Sequence, residues 1–444
     1  MKQFNRREFI QLTATAIGGI MLTGCGSSGG GSSVPNGYRF YRLMGNGATV
    51  DPMGASFPIE RFYGSAHISA NGIITFDAMN VNKRRGLFQL GVDTDGFSPK
   101  ILWERSALLV GDSLDDGRVV GTFKSYDVDQ RGNIAAMIDA DVRHHEEHYG
   151  TGLYVEYEQQ GFAPLLIAGR EMNEGEMKSS GIFGDVSFVE ESIMAHVHHL
   201  PANDSRSTSG NSLVHLPGGS LAASRILTSS GDLVAGTDHS VSVFGLLDHN
   251  TSGDYTVGVA TAHTGLQALP EASSSHLNIT GNVNYPRDMQ IMTAPFPDVD
   301  GSNAVSGEGG YGSRVGANAE VYSLLDVGDE MALRCNDRLI LSTGDPSATG
   351  TIRAITTGSA GADGNYYYTA VTESEGVLGM TLFVYDGFTH VPLLASGDIL
   401  FDGGAPVQQI LFGTTTKHVD ADNRLVFLCS FADGTTSLIL GLPS

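Results

Sequence analysis

Apolar and polar residues alternate along most of the chain in short runs, each broken by Gly, Asn or Asp. Alternation is the period of half-buried strands, and no long helical period competes with it. One stretch, Thr122 to Gly169, reads as four successive strands: "TFKSYDVD", "GNIAAMIDADV", "TGLYVEYEQ" and "FAPLLIAG". Turn residues separate them at the spacing of an antiparallel meander.

An eight-residue pattern recurs through this alternation. A polar turn residue is followed three positions later by a small residue, then by two mostly apolar positions and a small-plus-large pair. Copies lie at Ser69–Phe76 ("SANGIITF"), Asp129–Ala136, Val189–His196, Asn250–Val257, Gly316–Ser323, Gly361–Tyr368 and Asp420–Phe427 ("DADNRLVF"). Their starts are 60, 60, 61, 66, 45 and 59 residues apart. A near-constant period of this length signals a repeat architecture. A second element, "PLLIAGREMNEG" at 164–175, recurs as "ALLVGDSLDDG" at 107–117 and "PLLASGDILFDGG" at 392–404.

Four strands per unit in an all-β chain describe the blade of a β-propeller, and seven copies predict seven blades. A solenoid is the other architecture such repeats build, although its units usually carry fewer residues. The ends favour a ring. "GYRFYRLMG" (37–45) reads as a fourth strand with no first three, and "TTSLILGL" (435–442) as a third strand with no fourth. Pairing them hides two sheet edges. The last position of the pattern is expected to face a neighbouring blade; Phe76, Val257, Tyr368 and Phe427 occupy it, as does His196.

The chain resembles bacterial exported proteins with tandem NxxGxxAF repeats over residues 37–444. Ser69–Phe76 and Asp420–Phe427 carry the likeness best; the copies at 189–196, 316–323 and 361–368 depart from it. The resemblance implies a propeller and surface display, and no common activity.

Composition agrees with an all-β body of many turns: 58 Gly in 444 residues. The net charge is −23, and residues 1–24 carry Lys2, Arg6, Arg7 and Glu8, so the remainder stands at −25. Such a surface repels phosphates and excludes nucleic acid as a partner. Three cysteines, Cys25, Cys335 and Cys429, do not make a disulfide framework. Cys335 and Cys429 lie two units apart and read as small buried residues.

The N-terminus reads as an address. Arg6 and Arg7 in "NRREFI" precede the apolar run Ile10–Leu22, as in a twin-arginine export signal. That run is too short to span a bilayer. "LTGC" at 22–25 resembles a lipobox, which makes Cys25 the lipidated first residue of the mature chain. The organisation expected is a signal peptide over 1–24, a Gly/Ser tether over 25–36 and one propeller over 37–444. The lipid bilayer is then a partner through acylated Cys25. Gly26 after the cysteine favours the outer membrane or surface side.

Candidate chemistry is sparse. His144, His145 and His148 in "RHHEEH", and His196, His198 and His199 in "HVHH", are candidate zinc ligands brought together by adjacent blades. Solvated turns are the plainer reading of such charged connections. Asp298, Asp300 and Glu308 are candidate calcium ligands inside a long insertion of the fifth unit, competing with an ordinary Asp/Gly turn. No hydrolase, phosphate-loop, dinucleotide or zinc-protease motif is present. Two functions fit. One is a lipid-anchored binding or scaffolding module for an envelope protein or glycan, with stretches 200–215 and 264–315 as loop insertions. The other is an enzyme with a site, metal-assisted or not, at the mouth of the central channel.

Overall fold

Each copy of the pattern closes a hairpin, and its residue types follow from the turn. The first side chain caps the amide four residues on: Ser69 Oγ accepts from Ile73 N at 3.1 Å, Asp129 Oδ1 from Asn133 N at 2.8 Å and Asn250 Oδ1 from Asp254 N at 2.9 Å. Asp420 Oδ1 does the same for Arg424 N at 2.9 Å. The fourth position is left-handed, with φ of 73° at Gly72, 83° at Gly132, 64° at Ala319 and 58° at Asn423. A residue with little or a short polar side chain suits that region.

The computed structural model describes residues 37–46, 58–94, 99–141, 150–167, 171–172, 177–201, 210–233, 239–263, 275–284, 290–291, 313–327, 330–336, 338–356, 358–361, 364–412 and 417–444. They form seven antiparallel sheets, a seven-bladed β-propeller. The first blade is Ile59–Ile68, Ile73–Asn80, Arg85–Asp93 and Lys100–Leu109. The second is Val119–Val128, Ile134–Asp141, Gly150–Glu156 and Phe162–Leu166, matching the four strands read from sequence. The third runs Met177–Val189, Ser192–Pro201, Gly210–Leu216 and Arg225–Ser229, with a short inner strand Glu171–Met172. The fourth has His239–His249, Asp254–His263, Ser275–Asn282 and Gln290–Ile291. The fifth has Ser313–Val315, Val321–Val327, Glu330–Cys335 and Arg338–Ser342.

The sixth blade opens with a broken strand, Gly350–Ile355 and Ser359–Ala360, and continues with Tyr366–Ser374, Val377–Tyr385 and His390–Ala395. The seventh takes Val407–Leu411, Leu425–Phe431 and Thr436–Pro443 from the end of the chain, and Tyr38–Gly45 from its beginning. Tyr38 pairs with Pro443 and Gly45 with Ser437, so the ring closes as the half-blades predict. The stretches 200–215 and 264–315 are not pure insertions. They contain the third strands of blades three and four, Gly210–Leu216 and Ser275–Asn282.

The core lies between blades. Phe427 packs with Leu382 and Leu393 of the sixth blade, Phe76 with Val426 and Leu428 of the seventh, and Tyr368 with Tyr322 of the fifth. The last pattern position thus faces the preceding blade. The third blade departs from this. Val189 pairs directly with Ser192, so its hairpin is one residue shorter than the others. A one-residue shift in a strand moves a side chain to the other face. Ala195, not His196, therefore packs on Ala135 and Met137 of the second blade. His196 is fully buried on the opposite side, stacked on Phe244 of the fourth blade at 5.3 Å. Cys429 is buried and Cys335 half-buried, both as free thiols.

Candidate functional site

Two residues before each pattern copy, every blade presents a buried polar side chain as the chain runs into its first hairpin. In order these are His67, Asp127, Ser187, Asp248, Arg314, Ser359 and His418, none more than 6% exposed. They follow the same period as the hairpins. Register shifts at Phe62/Ala66, Phe123/Ser125, Ile182/Val186 and Phe244/Leu247 bend the inner strands of the first four blades just before these positions. A bulge of this kind re-aims the residues that follow it.

The seven residues and their neighbours bridge every junction of the ring. His67 Nδ1 lies 3.3 Å from Asp127 Oδ1. Asp127 Oδ2 accepts from Phe188 N at 2.8 Å, and Ser187 Oγ meets His249 Nδ1 at 2.7 Å. Asp248 Oδ2 accepts from Val315 N at 3.0 Å, and Arg314 Nε donates to Gly358 O at 3.0 Å. Ser359 Oγ accepts from His418 N at 3.2 Å. Ile68 N donates to Lys417 O at 2.9 Å and completes the circuit.

Lys417 does more than complete it. From the seventh blade its Nζ passes the first and donates to Asp127 Oδ2 at 2.7 Å, and to the carbonyls of Val128 and Phe188 on blades two and three. Lys417 thus skips one blade and ties the seventh to the second and third on the face of the first hairpins.

Burial alone would raise the Asp127 carboxyl; the Lys417 charge and the His67 contact override it and hold the group down at about 2. Asp248 goes the other way, pushed up to about 7 by burial against the pull of Arg314. Asp185, partly exposed on the inner strand of the third blade, is pushed up to about 6 by burial, with Arg314 opposing and Asp127 adding. Burial lowers His249 and His418 to about 3, so both are neutral near pH 7. Burial also lowers His67.

Among the predicted residues, Arg6, Arg7, Cys25, His144, His145, His148, Asp298, Asp300 and Glu308 lie outside the described residues. His196 Nδ1 accepts from Asp185 N at 3.1 Å, and burial lowers its pKa to about 3. His198 is half-buried two residues along the same strand, and His199 pairs there with Ser179 and Gly210. Among the described residues no three His, Cys, Asp or Glu are grouped to hold a metal ion. The polar ring escaped the sequence reading, although the period that marks it was already visible.

No family model matches this chain, and no curated sequence does. Solved structures do resemble it. A virginiamycin B lyase from Staphylococcus aureus is 10% identical with a TM-score of 0.38, over 90% of this chain and 99% of that one. PorZ, a bacterial surface component of the type-IX secretion system of Porphyromonas gingivalis, is 12% identical with a TM-score of 0.44. Prolyl oligopeptidase B from Galerina marginata is 8% identical with a TM-score of 0.43. The last two matches cover 88% and 89% of this chain and only 48% of each of those proteins. Likeness at these levels says nothing of activity, and the three proteins' printed roles differ from one another.

Proposed function

We propose that the chain is an exported lipoprotein, anchored at Cys25, whose propeller body binds or scaffolds an envelope protein or glycan. The observation that supports this reading is the use made of the polar ring. His67, Asp127, Ser187, Asp248 and Ser359 are residue types found in catalytic clusters, yet their side chains are spent joining one blade to the next. Lys417 is likewise spent tying blade seven to blades two and three, which leaves the loops to meet a partner. Export by the twin-arginine route, with outer-membrane or surface display, belongs to the same reading and rests on Arg6, Arg7 and the lipobox.

A second reading, an enzyme working inside the channel, draws on Asp185. Its carboxyl, raised to about 6 by burial against the pull of Arg314, is poised for general acid–base work. Elemental analysis of protein purified from its own membranes separates the two. The binding reading expects stable protein without stoichiometric zinc, copper or iron, and a partner captured by cross-linking to the loops. Stoichiometric metal, or a turnover that Asp185→Asn abolishes while the melting temperature holds, would replace it with the enzyme. Cys25→Ala tests the anchor: the body should leave the membrane fraction, and sedimentation with membranes after a high-salt wash would refute lipidation.

A further inference from the structure

The face of the first hairpins, where Lys417 lies, is also the face at which the strand Tyr38–Gly45 begins. Ser444 N donates to Gly37 O at 2.9 Å, and Tyr38 Oη meets Asn423 O at 2.7 Å and Tyr367 Oη at 2.8 Å. Residues before Gly37 therefore join the body beside the outer parts of blades six and seven. On this same face the turn Asp386–Thr389 joins the third and fourth strands of the sixth blade; the pairing of Tyr366 with Tyr385 puts it level with that blade's first hairpin. At its tip Phe388 is 90% exposed, the most exposed large apolar side chain among the described residues.

A single exposed hydrophobe is ordinary, and what sets Phe388 apart is how firmly it is held there. Asp386 Oδ1 accepts from Phe388 N at 2.9 Å and from Thr389 N at 2.7 Å, and its Oδ2 accepts from Thr389 Oγ1 at 3.0 Å. Gly387 O accepts from Tyr385 Oη at 2.6 Å and, across the blade junction, from Arg338 Nη2 at 3.0 Å. Leu339, which follows that clamping arginine, is 49% exposed. Gly387 takes φ of 93°, which glycine adopts without strain. The turn thus holds an apolar tip in water, and no described residue covers it.

We propose that Phe388, with Leu339 beside its clamp, enters the outer layer of the bilayer that holds Cys25 and seats the propeller with the rim of blades five and six toward the lipid. This rests on the lipoprotein reading. Twelve residues span at most roughly 40 Å, so the linkage from Cys25 to Gly37 keeps this rim within reach of the surface. Tethering makes a weak second contact effective, because the tip meets the bilayer at high local concentration. An aromatic ring with a guanidinium close behind it suits the headgroup boundary. The acidic body is repelled by anionic lipid, so a zwitterionic surface suits it better.

The test uses the full lipidated protein in phosphatidylcholine vesicles brominated near the headgroup. The chain has one tryptophan, Trp103, so Trp103→Phe with Phe388→Trp places a single indole at the tip. Its emission should shift to the blue and be quenched by bromine, while a Phe388→Ser protein stays bound through its acyl chains but no longer protects the turn from an added protease. Vesicle-bound protein whose indole emits as in water, unquenched, overturns the seating and leaves the anchor standing. Protein that does not float with vesicles at all overturns the anchor, and the seating with it.

Discussion

Lys417→Met is the sharpest probe of the polar ring, because it removes a charge and keeps the bulk of the side chain. Asp127, 2% exposed, would keep the Phe188 amide at 2.8 Å and the His67 contact at 3.3 Å. It would lose its only Lys417 contact, and two buried carbonyls on blades two and three would lose a donor. Breaking a buried ion pair from one side costs about 3–5 kcal/mol; the contacts Asp127 retains argue for about 3–4 kcal/mol here. Urea denaturation read by circular dichroism should show this as a lower midpoint with an unchanged slope. The double variant Asp127→Asn/Lys417→Met should cost less than the sum of the two single variants by about 2 kcal/mol. A pH series adds an independent sign. The Asp127 carboxyl is held at about 2 in the fold. Its contribution is therefore present above the unfolded carboxylate range near 4 and lost as pH falls from there through 2, on the order of 2 kcal/mol. Lys417→Met should shrink that acid loss. A single variant that costs less than about 1 kcal/mol, or a strictly additive double variant, would refute the reasoning.

Phe427→Ala should cost about 3–5 kcal/mol by the same denaturation measurement, since its ring fills the junction between blades six and seven. His196→Phe should cost about 1–3 kcal/mol rather than nothing, because phenylalanine leaves the Asp185 amide without its 3.1 Å acceptor. Asp248, raised to about 7 by burial, favours the folded state fully below the unfolded carboxylate range near 4 and loses that advantage as pH rises from there through 7. Asp248→Asn keeps an acceptor for Val315 N and should flatten the decline of the melting temperature between pH 5 and pH 8 relative to wild type.

The blades were legible because the pattern states turn geometry directly. Ser69, Asp129 and Asp420 cap their hairpins, and Gly72 and Asn423 supply the left-handed residue, so the sequence repeats wherever the backbone does. Closure was legible from Tyr38–Gly45, a strand without a sheet until Thr436–Pro443 supplies one. The third hairpin misled the reading of His196, because a turn shortened by one residue leaves the local pattern intact while reversing the face. The ring was hidden for another reason. Its seven members share a position but not a chemistry, so no one residue type marks all of them. His67, Ser187 and Arg314 do the same work with an imidazole, a hydroxyl and a guanidinium. Searching for like residues misses them, whereas searching for buried polarity at the period finds them.

The central claim is a seven-bladed ring held shut by Tyr38–Gly45 on Thr436–Pro443. Deleting residues 37–45 tests it most directly, with thermal unfolding as the readout. The strand carries Leu43 and Met44 into the interface of blades seven and one, where both are buried, and it covers the edge of Thr436–Pro443. The deleted protein should lose cooperative unfolding or melt far below wild type, and a synthetic peptide spanning 37–46 should restore part of the loss by re-forming the edge pairing. A deleted protein that melts within about 2 °C of wild type, with or without the peptide, would contradict the closed ring.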